Sequence, residues 1–150
     1  MSRTTRIMSC TPEDVFAVLE DGWTYGMWVV GAARIRGVDP NWPQVGSRIH
    51  HSVGAWPLLL SDHTEVEEVD PPRLLQLRVK AWPTGEGRVR LTCTDLGRGQ
   101  TEVVMEERAV NGPAKLLPAP AQDLMLHPRN IEALKRLAYL AENRARSSDR

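Results

Sequence analysis

One long helical pattern closes this chain, and everything between residues 28 and 110 ahead of it reads as strand. From about Ala121, the residues Ile131, Leu134, Ala138 and Ala141 fall on one helical face, flanked by Leu137 and Leu140. Glu132, Lys135, Arg136 and Glu142 take the other side, as in a helix with one face turned to a core. A helix of about 20 residues spans ~30 Å, enough to cross a whole sheet. A single helix can cover one face of such a sheet only if the sheet twists and curls around it. A curled sheet closed by one helix leaves a cavity wherever small side chains fail to fill it. Apolar walls with a few polar groups make a typical small-molecule site. The expected fold is α+β: a curled antiparallel sheet of six to seven strands around a long C-terminal helix, with two short helices after strand one.

The local signals agree with that frame. Residues 3–10 form a thin first strand. Thr11 is placed as an N-cap, Pro12 suits the first helical position, and Asp14 sits where a capping-box acid would. Val15, Val18 and Leu19 form the apolar stripe of this helix, with Phe16 beside it, and Asp21-Gly22 ends it. Residues 23–27 predict a second short helix or turn. Strands follow over Trp28–Val38, Gly46–Val53 and roughly 58–69. In the next, Leu75, Leu77, Val79 and Ala81 alternate with polar residues; then Val89, Leu91 and Cys93 do the same. The last strand, Thr101–Val110, puts Val103, Met105 and Glu107 in one row. Strand 58–69 leaves its inward face open, since Val66 favours one set and Leu59 with Val69 the other. His127-Pro128 predicts a kink or restart in the final helix, and residues 145–150 a disordered tail after a single domain over 1–144.

Composition narrows the function. Nineteen basic residues balance nineteen acidic ones, so no overall field draws the chain to nucleic acid or anionic lipid. No stretch approaches the ~18 apolar residues of a membrane span, and no signal peptide is visible, so the expected compartment is the cytosol. Two cysteines, Cys10 and Cys93, do not make a disulfide framework. Phosphate-binding loops, Gly-x-Ser-x-Gly, Cys-x-x-Cys and His-Glu-x-x-His motifs are absent, so no cofactor or structural metal is expected.

Four stretches carry a family resemblance. They are Thr11–Asp21, a first helix of small-Pro-x-x-Val-aromatic pattern ending in Asp; Tyr25-x-x-Trp28, leading into the second strand; Val66-x-x-Val69-Asp70-Pro71-Pro72-Arg73-Leu74; and Gln100–Glu107. The last is followed by the late Arg129-Asn130-x-x-x-Leu134-x-x-Leu137. Together, in this order, they resemble the SRPBCC superfamily, also called START-like or helix-grip, and most closely its polyketide cyclase/dehydrase-type members. One departure is Gly99-Gln100-Thr101 where the family has Gly-Thr before the last strand. The resemblance implies a hydrophobic cavity between sheet and C-terminal helix. Members range from lipid carriers to cyclases, so the fold does not fix the activity.

Candidate residues emerge from these two readings. Trp23, Tyr25 and Trp28 cluster where the short helices meet the sheet, as pocket wall or as core glue. Trp56 lies in a Gly54/Pro57 loop that could cover a cavity. His50 and His51 point to opposite faces and cannot share a metal. His51, sharing its face with Ile49 and Val53, is a candidate polar group inside, and a cross-strand neighbour of His63 if the hairpin turns near residue 57. Glu107, in row with Met105, needs a partner if buried, and Arg129 from the crossing helix is the expected one. Arg78, Lys80, Arg88 and Arg90 read as the solvated outer face. The expected function is non-catalytic binding of a hydrophobic or aromatic small molecule by Trp23, Tyr25, Trp28, His51, Trp56, Met105, Glu107 and Arg129. The rivals are an aromatase/cyclase-like enzyme using His51, Tyr25 or Glu107, and a scaffold that packs its interior or pairs with a second copy through exposed Trp.

Overall fold

The computed structural model describes residues 2–30, 32–53, 60–81 and 85–148. The capping box forms as the sequence predicts: Thr11 Oγ1 accepts from the Asp14 amide at 3.2 Å, and Asp14 Oδ2 accepts from the Thr11 amide at 3.1 Å. With Pro12 opening it, helix α1 spans Pro12–Glu20 and buries Val15, Phe16, Val18 and Leu19. A 3-10 turn, Gly22–Thr24, leads into the one-turn helix α2, Tyr25–Trp28.

Seven strands make one sheet. They are β1 (Ser2–Met8), β2 (Ala32–Val38), β3 (Arg48–Val53), β4 (Leu60–Asp70), β5 (Leu74–Ala81), β6 (Gly85–Gly97) and β7 (Gln100–Asn111). Their order is β1-β7-β6-β5-β4-β3-β2, and every pair is antiparallel. Consecutive strands from β2 to β7 are neighbours, so short turns build the meander, and only β1 returns to lie beside β7. The second strand starts at Ala32 rather than at Trp28, because α2 claims residues 25–28.

A bulge resolves the ambiguous strand. In the β4–β5 register Val66 faces Leu77 and Val69 faces Leu75, with a shift between Val66 and Glu68. The extra residue lets both valines point to the core. Glu67, set on the outer face, there receives Arg88 Nε at 2.8 Å. Outside, Arg78 pairs with Glu86 and Arg90 Nη1 lies 3.3 Å from Glu68. Such partly exposed pairs contribute little to stability.

Helix α3, Ala119–Ser148, lies over the opposite face. Its buried stripe is Asn130, Ala133, Leu134, Leu137, Ala138 and Ala141, which meets Leu75, Leu77, Leu91, Val103 and Met105 from the sheet. Ile131, expected on that stripe, is 47% exposed. A 100° step places it beside the contact face rather than on it, and Asn130 and Ala133 take the buried positions. Nor does the helix restart at Pro128, which lies within it. Pro128 and Leu124 are both exposed, so the break in the hydrogen-bond ladder falls on the outer side of the helix. The helix also runs past residue 144 to Ser148, where Ala145 still packs against the core. The cysteines are free and buried, their thiols pushed up to about 11 at Cys10 and about 12 at Cys93 chiefly by burial.

The helix seat sets the stability. Leu137→Ala, at a fully buried position, is expected to cost about 2–5 kcal/mol, and Ile131→Ala to stay within about 0.5 kcal/mol. Urea unfolding midpoints compared for the two variants check this contrast.

Candidate functional site

Two adjoining cavities open under α3, at the end of the sheet where β5, β6 and β7 approach the start of that helix. The inner one, of about 30 Å³, is walled by Trp28, Leu77, Val89, Met105 and Ala133, with Tyr25 and Asn130 among its polar contributors. The outer one, of about 110 Å³, is lined by Ala109, Leu117, Gln122, Met125 and Leu126 along with Gly85 and Gly87. Val79, Glu107 and Arg129 line both cavities and so form the threshold between them. Gly85 is obligatory here: at φ +107° a Cβ would lie 2.1 Å from the Asn111 carbonyl oxygen.

Glu107 reaches the threshold because it continues the Val103–Met105 row of β7. Burial pushes its carboxyl up from the ordinary range, against the opposing pull of the Arg129 guanidinium and the Asn130 amide. The expected Glu107–Arg129 ion pair does not form among the described residues. Arg129 instead donates its Nε to the Val30 carbonyl at 3.1 Å, which ties α3 to the segment after α2 while the residue lines both cavities. Asn130 is buried, yet its Nδ2 has no hydrogen-bond partner. It influences the carboxyl of Glu107 without closing a full bond. Ser2, directly opposite Glu107 in the β1–β7 register, is buried with an unpartnered hydroxyl as well.

A second polar group sits deeper. Thr64 Oγ1 contacts Tyr25 Oη at 2.8 Å and His51 Nε2 at 3.1 Å, all three side chains being buried. The Tyr25 and His51 rings stack at 5.8 Å, and Trp28 meets Tyr25 edge-on at 5.5 Å. Burial pushes the Tyr25 phenol up to about 12, so it acts as a hydroxyl at neutral pH. Burial also pushes His51 below its ordinary value, partly offset by the Asp62 carboxylate, so its neutral form is favoured. His51 Nδ1 is buried without a partner.

The sequence-predicted residues thus separate into groups. Tyr25, Trp28, Met105, Glu107 and Arg129 come together around the cavities. His51 is inside but stands behind Tyr25, lining neither cavity. It pairs with Asp62 in the β3–β4 register, while His63 faces His50, so the expected His51–His63 neighbourhood is shifted by one residue. Trp23 is 60% exposed and lies outside. It precedes α2 in the 3-10 turn, whereas Tyr25 and Trp28, three apart, share the inner face of one helical turn. Trp56 lies outside the described residues. Trp42 packs against the core away from the cavities: its indole N–H donates to the Leu19 carbonyl at 3.0 Å and pins the 39–47 loop to α1. Asn130, Ser2 and Thr64 join the site without having been expected there. Asn130 alone left a signal, a polar side chain three and four residues before Ala133 and Leu134 on the apolar stripe.

Among the described residues no cluster of three or more His, Cys, Asp or Glu is placed to hold a metal, and no helix is long and apolar enough to cross a membrane. The family described as polyketide cyclase / dehydrase and lipid transport matches residues 1–142. The fold is similar to an aromatase/cyclase, Zhui, from Streptomyces sp. R1128, at 17% identity and TM-score 0.69 over 97% of this chain and 95% of that one. A conserved protein from Geobacillus kaustophilus is similar at 11% identity and TM-score 0.70, with 94% of each chain covered. The di-domain aromatase/cyclase StfQ of the steffimycin biosynthetic pathway is similar at 9% identity and TM-score 0.70, over 98% of this chain and 50% of that one. At these identities the likeness is one of fold. No curated protein sequence matches.

The half-buried Glu107 and the buried His51 predict opposite pH responses. Glu107 holds its proton longer in the folded state, so stability falls as pH rises from 4.5 through its higher native value. Glu107→Gln is expected to remove this fall, and its advantage over the wild type in urea unfolding grows across that window. His51 gives up its proton more readily when folded, so its contribution is complete above 6.5 and is lost as pH falls towards its lower native value. His51→Gln is expected to flatten the loss below 6.5.

Proposed function

Because the chain belongs to the polyketide cyclase / dehydrase and lipid transport family, we propose that it binds a small apolar or aromatic molecule in the two joined cavities. The ligand is of lipid- or polyketide-like chemistry and lies between sheet and α3. The observation that carries this reading is the buried, unpartnered Nδ2 of Asn130 on an otherwise apolar wall. An unmet buried donor is costly, by about 1–3 kcal/mol, and a ligand oxygen would satisfy it. Apolar contact with Trp28, Leu77 and Met105 supplies affinity at ~25 cal/mol per Å² before the costs of ordering. Glu107 and Arg129 supply orientation.

Binding without turnover fits these residues better than catalysis. A proton-transfer mechanism needs an acid and a base converging on one reacting atom. His51 stands behind Tyr25, and Tyr25 keeps its proton far above neutrality. A cyclase-like reading has one observation in its favour: the carboxyl of Glu107 is tuned towards its neutral acid form at a cavity wall, as a general acid would be.

Native mass spectrometry of the protein as purified tests the binding reading, with a bound small-molecule mass expected. Ala133→Leu fills the inner cavity at an overpacking cost of about 1–3 kcal/mol. It is expected to abolish the bound mass in a protein whose circular dichroism is unchanged. Retention of the same ligand by this variant would refute occupancy of the inner cavity. Chemical conversion of the retained molecule on incubation would move the assignment to the enzyme.

A further inference from the structure

The two edges of the sheet are finished differently. Among the described residues β2 pairs only with β3, and its ladder is broken by two register shifts, between Ala32 and Arg34 and between Ile35 and Gly37. Such bulges twist an edge away from further pairing. At the other edge β1 has no such guard. Its seven residues, Ser2–Met8, pair with β7 without a shift and include neither Pro nor Gly. Alternate residues of an antiparallel edge strand turn their backbone N–H and C=O away from the sheet. Arg3, Thr5, Arg6 and Ile7 of this strand are exposed.

Apolar surface on the helix above accompanies that edge. His127 Nδ1 lies 3.3 Å from Thr4 Oγ1, which marks the flank of α3 next to β1. Leu124 and Ile131, one turn before and one turn after His127, lie along the same flank, and both are exposed. The opposite flank carries Arg129 and is held to Val30. We propose that a second copy of this chain covers this composite edge. β1 pairs antiparallel with its counterpart across a two-fold axis, and the two α3 flanks meet on one side of the joined sheet.

The charges of β1 choose the register. Side chains alternate, so residues opposite each other across the axis come from the same face of the sheet. A register centred on Arg3 or on Arg6 would set two guanidinium groups directly opposite, which is destabilising. One centred on Thr4 leaves Ile7 and Met8 unpaired. Centred on Thr5, the register pairs all seven residues and sets no arginine opposite another. Arg3 then faces Ile7 of the second copy, whose neighbour in the β1–β7 ladder is Glu102. The stem of that arginine covers the exposed isoleucine, and its charge is directed towards the carboxylate.

Sedimentation equilibrium of the full chain across the micromolar range tests this pairing. The wild type is expected to show the mass of two chains. Ile7→Lys sets a cation opposite Arg3, and Ile131→Lys charges the helix flank. Both side chains are exposed in the protomer, so each variant is expected to keep its circular dichroism while its mass falls to that of one chain. The double variant Arg3→Glu/Ile7→Lys places opposite charges on the same pair and is expected to restore the dimer. None of these residues lines a cavity beneath α3, so the outcome is independent of ligand binding. A wild type with the mass of one chain would overturn the proposal. So would a dimer that survives both single variants and dissociates on Trp23→Lys, which would assign the contact to the exposed tryptophan. Dissociation by Ile7→Lys without rescue by the double variant would overturn the register centred on Thr5.

Discussion

The contact between one stripe of α3 and the concave face of the sheet is the interaction on which everything else rests. Leu134 and Leu137 fill the centre, and Ala133, Ala138 and Ala141 let the helix sit close. An antiparallel sheet of seven strands has two faces, and the described residues form one long helix. The other face is accordingly a lattice of Arg and Glu, with Arg78, Arg88 and Arg90 each beside a carboxylate. Hydrophobic burial is concentrated on one side, and the curl of the sheet follows from that concentration.

The same contact creates the cavities. Where Leu134 and Leu137 meet Leu75, Leu77 and Leu91 the interior is filled. Towards the start of α3 the stripe changes character to Asn130 and Arg129, and facing them β7 offers Glu107 instead of another aliphatic chain. Polar side chains with incomplete partners cannot close-pack as aliphatic ones do, and space remains around them. The candidate site is thus the end of the core at which the apolar pattern gives way.

Two buried polar groups sit within the fold and differ in kind. Tyr25, Thr64 and His51 share hydrogen bonds through one hydroxyl and stack their rings, so this group is largely satisfied and holds α2 to the sheet. The Asn130 Nδ2 and the Ser2 hydroxyl beside Glu107 have no such closure. A satisfied network rigidifies a core, whereas an unsatisfied one leaves hydrogen-bonding capacity for a ligand to meet. This contrast, rather than the mere presence of His or Glu inside, separates scaffold from candidate site in this protein.

Much of the fold was legible in the residues. The capping box at Thr11–Asp14, the alternation in β5 and β6, the inward row Val103–Met105–Glu107 and the single late helix each follow from nearest-neighbour periodicity, which sequence records directly. What tertiary structure decided were matters of rotation, register and partner. The bulge at Glu67 turned both Val66 and Val69 inward, and a fraction of a helical turn moved Ile131 out and Asn130 in. One turn of α2 sent Tyr25 and Trp28 inside while Trp23 stayed outside. Arg129 was correctly brought near Glu107 by the crossing helix, but its hydrogen bond went to the Val30 carbonyl. The sequence by itself determined which segments are strand and helix and that one sheet face must wrap one helix, because periodicity and the count of apolar faces are properties of the chain. Only the packed structure decided which polar side chains remain without partners, because satisfaction of a buried donor depends on what arrives from distant segments.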